Sequence, residues 1–176
     1  MKKNISILLF ISLVGLVFWL FSWQRTVHNN ISQRIQSECT SLPSREFASE
    51  RAHALIVREK TVASIRLANE KNFSPPGGHI EENETPNQAL IRELKEELGL
   101  SVESRNLGWY KTYCEVIGTS RTQRTYVYTL TGWKGSMNPA RDSQLKWVSS
   151  DFRYDPTADS ELIKTLSYAV KDGLIY

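Results

Sequence analysis

The sequence predicts an α/β domain: short β-strands around one strongly capped central helix, closed by a second helix near the C-terminus. Three observations carry this reading. Residues 85–99 hold the start and stop signals of a helix. Five apolar or β-branched runs between about 52 and 148 have strand length and are separated by turn residues. A helical spacing of apolar residues returns after Ala158. Ahead of the domain lies an apolar run unlike anything else in the 176-residue chain.

That run extends from Ile5 to Trp23 behind Met1-Lys2-Lys3-Asn4. As a helix it would span about 28 Å, close to the hydrocarbon core of a bilayer at about 30 Å. Trp19 and Trp23 sit at its far end, like an interfacial belt. A cleaved signal peptide calls for a shorter apolar stretch and a small-residue cleavage site, and Phe21-Ser22-Trp23-Gln24 offers none. Residues 1–23 are therefore read as an uncleaved transmembrane signal anchor, of the kind found in a bacterial inner membrane. Lys2 and Lys3 bias the N-terminus slightly toward the cytoplasm, against Arg25 and Arg34 after the span. Residues 24–50 are polar, with scattered Ile31, Ile35 and Leu42 before Pro43, and read as a stalk. The domain is expected over residues 51–176.

Ala52–Val57 and Thr61–Ala68 flank Arg58-Glu59-Lys60 and read as a hairpin. Pro75-Pro76-Gly77-Gly78 first stiffens the backbone and then frees it. In the helix that follows, Thr85 suits the N-cap, Pro86 the first position, and Gln88 completes a capping box. Gly99 is a natural stop after Leu98. Ile91, Leu94 and Leu98 are expected to face the core, with Ala89 on the neighbouring, glutamate-bearing side. Leu107–Ile117, Arg124–Trp133 and Gln144–Val148 read as further strands. The last helix, Ala158 to Lys171, is expected to turn Leu162, Ile163, Leu166 and Val170 inward and to stop at Gly173.

The central helix carries unusual chemistry. At about 100° per residue, Glu93, Glu96 and Glu97 fall within about a third of its circumference. Glu93 and Glu97, four residues apart, would cost an isolated helix about 0.2–0.5 kcal/mol. A cation reverses that cost, and oxygen donors without His or Cys suit Mg²⁺ or Mn²⁺. Mg²⁺ is usually held by a few carboxylates together with substrate phosphates, so a diphosphate-containing small molecule is the natural partner. The adjacent glycines let backbone approach a metal or a phosphate. An acidic, solvated helix face is the plain alternative.

The segment Gly78 to Leu100, GHIEENETPNQALIRELKEELGL, resembles the signature box of the MutT-like Nudix hydrolases at its defining positions. The match covers Gly78, Glu84, Arg92-Glu93, Leu94, Glu96-Glu97, Leu98 and Gly99. Asn83 stands where the family usually has glycine, and Asn is tolerant of positive φ. The resemblance implies a Nudix-type α/β/α sandwich with a mixed sheet. It implies metal-dependent hydrolysis of a diphosphate linkage in a nucleoside diphosphate-X or nucleoside triphosphate. Glu96 and Glu97 are then metal ligands, and Glu93 a further ligand or the general base. The Gly77 carbonyl is an extra ligand, and Gly78 lies at the substrate. Arg92 orients Glu93, and Glu84 braces the loop from behind. His79 occupies a free position of the motif, and Glu81 and Glu82 form a solvated rim.

The chain has a net charge of +3, but residues 51–176 carry 17 Lys and Arg against 16 Asp and Glu, so bulk charge does not indicate nucleic-acid binding. Arg121, Arg124, Lys111, Lys134 and Arg141 are the cations available to meet phosphates. Trp109, Tyr110, Tyr113, Tyr126 and Tyr128 are available to stack, with sheet packing as their ordinary role. Cys39 and Cys114 define no disulfide framework and are expected as two unpaired thiols, with a bridge as the alternative for an exported domain. Asn30-Ile31-Ser32 and Asn83-Glu84-Thr85 match the glycosylation triplet by chance. Two other functions fit parts of this pattern: a hydrolase of lipid-linked or envelope diphosphates, and a non-catalytic diphosphate-binding module on a membrane tether.

Overall fold

The computed structural model describes residues 47–117 and 121–176, together with Cys39 and Pro43. Apart from Cys39, everything below concerns the unit Pro43–Tyr176. The apolar run Ile5–Trp23 and most of the polar stretch after it lie outside the described residues. No helix among the described residues is long and apolar enough to cross a membrane.

Seven strands and two α-helices follow in chain order: β1 (Ser49–Leu55), β2 (Val57–Arg58), β3 (Thr61–Arg66), β4 (Gly77–His79), α1 (Pro86–Leu98), β5 (Leu107–Ile117), β6 (Arg121–Leu130), β7 (Gln144–Val148) and α2 (Ser160–Lys171). A four-stranded mixed sheet has the order β4-β1-β6-β5, and a three-stranded sheet the order β2-β3-β7. The mixed character comes from β1 and β6, which run parallel, while β4 and β5 are antiparallel to their neighbours. The β2–β3 hairpin turns through Glu59 and Lys60, both at positive φ.

Alternation along the strands divides the core in two. Ala52, Ala54 and Tyr128 pack with Leu90, Leu94 and Leu98 of α1. Leu55, Tyr113 and Val127 pack with Leu162 and Leu166 of α2. Helix–sheet–helix layering of this kind is the α/β/α arrangement expected.

β5, β7 and α1 occupy the expected positions, whereas other elements differ. β1 begins at Ser49, two residues inside the stretch read as stalk, because Ser49 and Glu50 pair with Gln123 and Arg124 of β6. β6 runs Arg121–Leu130 instead of Arg124–Trp133, since its ladder with β5 pairs Ile117 with Arg121 and Leu107 with Leu130. On α1 the inner face holds Ala89 and Leu90, with Ile91 only partly buried against the core. On α2 the buried set is Glu161, Leu162, Thr165, Leu166 and Ala169; Ile163 is exposed and Val170 half-buried. Both cysteines are disulfide-bonded, which corrects the expectation of unpaired thiols.

Candidate active site

The helix bearing the carboxylates is held at both ends. Thr85 Oγ1 accepts from the Gln88 amide, and Gln88 Oε1 accepts from the Thr85 amide at 2.8 Å. Gly99 closes the helix at φ 69°, donating to the carbonyls of Leu94 and Lys95. Asn83, in the preceding turn, sits at φ 68°, a conformation asparagine tolerates.

Two glycines bring α1 against β4. Gly77 has φ 128°, and a Cβ there would lie 2.2 Å from the Ala52 carbonyl oxygen. A Cβ on Gly78 would lie 2.5 Å from Glu93 Oε1. Any other residue at Gly77 would push the strand off its neighbour, and one at Gly78 would displace the Glu93 carboxylate. With both glycines in place, the Gly77 amide donates to Glu97 Oε2 at 2.8 Å.

Arg92 organises the remaining carboxylates through its planar fork. Nε and Nη2 donate to the two oxygens of Glu84 at 2.9 and 3.0 Å. Nη1 donates to Glu93 Oε1 at 2.8 Å and, more loosely, to Glu96 Oε2 at 3.4 Å. Nη2 also reaches the His79 carbonyl at 3.0 Å, tying helix to strand. Glu84 accepts from the Glu81 amide as well, and the Arg92 guanidinium holds its carboxyl below the usual range. The same bonds push the Arg92 pKa further up. Lysine could not form this fork.

Glu97 differs in kind. It is 6% exposed, and burial raises its carboxyl to about 8. The Gly77 amide and the charge of Arg51 oppose that rise, while the charges of Glu93 and Glu70 add to it. Glu97 and Glu93 face a cleft of about 230 Å³, which Gly77, Gly78, Arg51 and Asp159 also line. Glu96 is 60% exposed and stands outside that lining. Among the described residues no three His, Cys, Asp or Glu side chains already converge as an ion-binding group. The donor chemistry nevertheless fits a hard cation: a buried carboxylate without a cationic hydrogen-bond partner, a second carboxylate, and a backbone brought close by glycine.

Several residues lining the cleft or buried behind it were not legible in the sequence. Arg51 on β1 donates through Nη1 to Glu161 Oε2, and its Nη2 lies 3.4 Å from His79 Nδ1. Asp159 caps α2 by accepting from the Leu162 amide, and burial lifts its carboxyl to about 6. His53 is buried beside Glu161, 3.5 Å away, and burial lowers it to about 4, which keeps it neutral. Arg51 and His53 alternate with apolar residues in an ordinary strand, and Asp159 reads locally only as a cap.

The cations proposed from sequence to meet phosphate are engaged elsewhere. Arg124 pairs with Glu50, Lys111 with Asp172, and Lys134 with Glu103. Arg141 lies by Asp142 at the surface, and the side chain of Arg121 is outside the described residues. None of the other four, and none of the five aromatic residues singled out in the sequence, lines the cleft. Glu81 is an exposed rim residue, 3.9 Å from Arg92.

A mixed-sheet sandwich with this glycine turn and carboxylate helix is the framework of one family. The NUDIX domain model matches residues 47–162, and the chain belongs to that family. It is similar to the 8-oxo-dGTP diphosphatase of Buchnera aphidicola, 32% identical over 120 residues, covering 63% of this chain and 88% of the relative. It is also similar to the 8-oxo-dGTP diphosphatase of Proteus vulgaris, 35% identical over 74 residues and 39% of this chain. The match spans 58% of the Proteus protein, and 36% of the Escherichia coli protein of the same name. Among solved structures, the E. coli ORF135 protein superimposes with a TM-score of 0.59 at 20% identity, over 76% of this chain and 97% of its own. A MutT NUDIX hydrolase from Burkholderia pseudomallei gives 0.57 at 21%, over 68% and 95%. These structural likenesses concern the fold.

Proposed function

We propose that this chain is a membrane-anchored, divalent-metal-dependent NUDIX pyrophosphohydrolase that splits the diphosphate linkage of a nucleoside diphosphate-X or nucleoside triphosphate. The observation that carries the reading is Glu97: a carboxylate buried to a pKa of about 8, facing Glu93 across a glycine-lined cleft. A fold does not maintain such a group for stability, because burying it costs free energy. Three relatives named 8-oxo-dGTP diphosphatase support a nucleotide as substrate.

Glu97, Glu93 and the Gly77 carbonyl would hold the Mg²⁺, or Mn²⁺ in its place, with Glu96 joining from the rim. Such an ion supplies charge stabilisation at the phosphoryl oxygens and lowers the pKa of bound water. Within the protein, Arg92 fixes the Glu93 carboxylate, and Glu84 fixes Arg92. Gly78 leaves room for the Glu93 carboxylate against the strand, where the diphosphate would sit. Water adds to one phosphorus, its proton passes to a carboxylate, a role open to Glu93 if it is not itself a ligand, and the bridging P–O bond breaks. The products are two phosphate monoesters, or a nucleoside monophosphate and pyrophosphate from a triphosphate.

Residues 1–23 would anchor the domain to a bacterial inner membrane, with the N-terminus in the cytoplasm. Disulfide-bonded Cys39 and Cys114 favour placing the domain on the oxidising side, where such bonds persist. That placement keeps a second reading open, hydrolysis of lipid-linked or envelope diphosphates. The test is turnover by the full-length protein in detergent, with Mg²⁺ or Mn²⁺, on nucleoside triphosphates, nucleoside diphosphate-X compounds and a polyprenyl diphosphate. Metal-dependent turnover that disappears in EDTA and in Glu97→Gln is expected. No turnover of any substrate would refute the enzymatic reading and leave a binding module.

A further inference from the structure

Among the described residues, four carboxylates line the cleft from three separate elements. Glu93 and Glu97 come from α1, Asp159 from the turn before α2, and Glu70 from the loop between β3 and β4. Glu70 is the one that the site described above leaves unused. The loop that carries it is short and held at its ends. Ile65 and Ser74 exchange backbone hydrogen bonds at 2.9 and 2.8 Å, which closes the loop. Phe73 donates its amide to the Thr157 carbonyl, and its own carbonyl accepts from the Asp159 amide at 2.9 Å. Phe73 is buried in the core on the α2 side, and Leu67 packs against the core on the α1 side. Between them the Glu70 amide donates to the Leu67 carbonyl at 3.0 Å. The backbone under Glu70 is thus tied to the segment that carries Asp159, while Glu70 itself stays exposed.

The other three carboxylates each have a hydrogen-bonding task. Glu93 accepts from Arg92. Glu97 is buried and accepts from the Gly77 amide. Asp159 accepts from the Leu162 amide and so caps α2. Adding a proton to any of these weakens a charge-assisted bond that holds the site together. The side chain of Glu70 has no hydrogen-bond or ion-pair partner among the described residues. Its charge nevertheless reaches into the cleft, because it adds to the rise of both Glu97 and Asp159.

Hydrolysis needs a group that takes a proton from the attacking water and then gives it up. With Glu93 and Glu97 engaged as ligands, one cleft carboxylate is left without a task. We propose that Glu70 is the general base of this hydrolase. The oxygen of water bonds to one phosphorus as its proton passes to a Glu70 carboxylate oxygen. The bridging P–O bond breaks, and its electron pair leaves with the departing phosphate. Glu70 then releases the proton to the solvent around it. The hydrogen bonds of Glu93, Glu97 and Asp159 are untouched by the step. The proposal rests on the hydrolase reading, and it assigns the proton transfer to a residue outside the carboxylate helix. In the sequence Glu70 sits in Ala68-Asn69-Glu70-Lys71-Asn72, which reads only as a polar turn.

The test uses the full-length protein in detergent with Mg²⁺, on 8-oxo-dGTP, ADP-ribose and a polyprenyl diphosphate. Glu70→Gln keeps the size of the side chain and removes the base. Its kcat is expected to fall at least about 100-fold, with KM within about twofold. Calorimetric titration with Mg²⁺ alone reports the metal site apart from turnover. Wild type and Glu70→Gln are expected to bind Mg²⁺ within about twofold of each other, since Glu93 and Glu97 are intact in both. A kcat within about threefold of wild type overturns the proposal. So does a fall in kcat matched by an equal loss of Mg²⁺ affinity, which makes Glu70 a ligand instead. Thermal unfolding checks the fold. If Glu70→Gln does not fold, Glu70→Asp decides: a loss of at least about tenfold is expected, because its carboxylate is withdrawn by one methylene, and wild-type kcat overturns the proposal. Wild-type protein that turns over none of the three substrates overturns the hydrolase reading and this one with it. Wild-type turnover that Glu70→Gln retains overturns this one alone.

Discussion

Replacing Glu97 with Gln should make the metal-free protein more stable while abolishing its response to metal. An unfolded glutamate titrates near 4.5, and the folded carboxyl near 8. The folded state therefore holds its proton more tightly, so its stability advantage is full below about 4.5 and declines as pH rises toward 8. At about 1.36 kcal/mol per unit, the total loss is roughly 5 kcal/mol, of which about 3 has accrued by pH 7. Glutamine removes the charge and keeps an oxygen to accept from the Gly77 amide, now 2.8 Å from Glu97 Oε2. A net gain of about 2–3 kcal/mol at pH 7 is expected, or a Tm higher by about 4–12 °C. The assay is thermal unfolding in EDTA at several pH values between 5 and 9, repeated with Mg²⁺. Wild-type Tm in EDTA should fall with pH and recover with Mg²⁺; the variant should show neither effect. A variant less stable than wild type in EDTA at pH 8, or one stabilised by Mg²⁺ as fully as wild type, would refute the role given to this carboxylate.

Arg92→Lys should lower turnover by about 10–100-fold, because an ammonium cannot hold Glu84 and Glu93 in one plane; steady-state kinetics with circular dichroism as a folding control would show it. Gly77→Ala should destabilise the domain by at least about 2–4 kcal/mol in urea unfolding, given the 2.2 Å approach to Ala52 and the φ of 128°. An unchanged midpoint would contradict the packing of β4 on β1. Thiol titration of the unreduced, denatured protein should return no free cysteine, and two reactive thiols would contradict the disulfide.

Where local physics was sufficient, the sequence was easily read. The central helix needs only Thr85, Pro86, Gln88 and Gly99 to define its ends, and those residues act on their own neighbours. β7 and β5 fall where alternation places them. Two of the departures gather on one face. The start of β6 was missed because Arg121-Thr122-Gln123-Arg124 is too polar to read as strand. The inner face of α2 was misjudged because Glu161 and Thr165 are buried while Ile163 is exposed. Both errors share a cause: this side of the sheet borders an open polar cavity, so the usual equation of inside with apolar fails there.

The sequence by itself determined the carboxylate helix, its glycine turn and the arginine that serves it, because those residues lie within about 25 positions and interact locally. Only the tertiary structure decided that Glu97 is buried while Glu96 is not. It alone brought Arg51, Asp159 and Glu161 to the same site from opposite ends of the domain. Strand register and helix docking set those juxtapositions, and neither leaves a mark in the spacing of the residues involved.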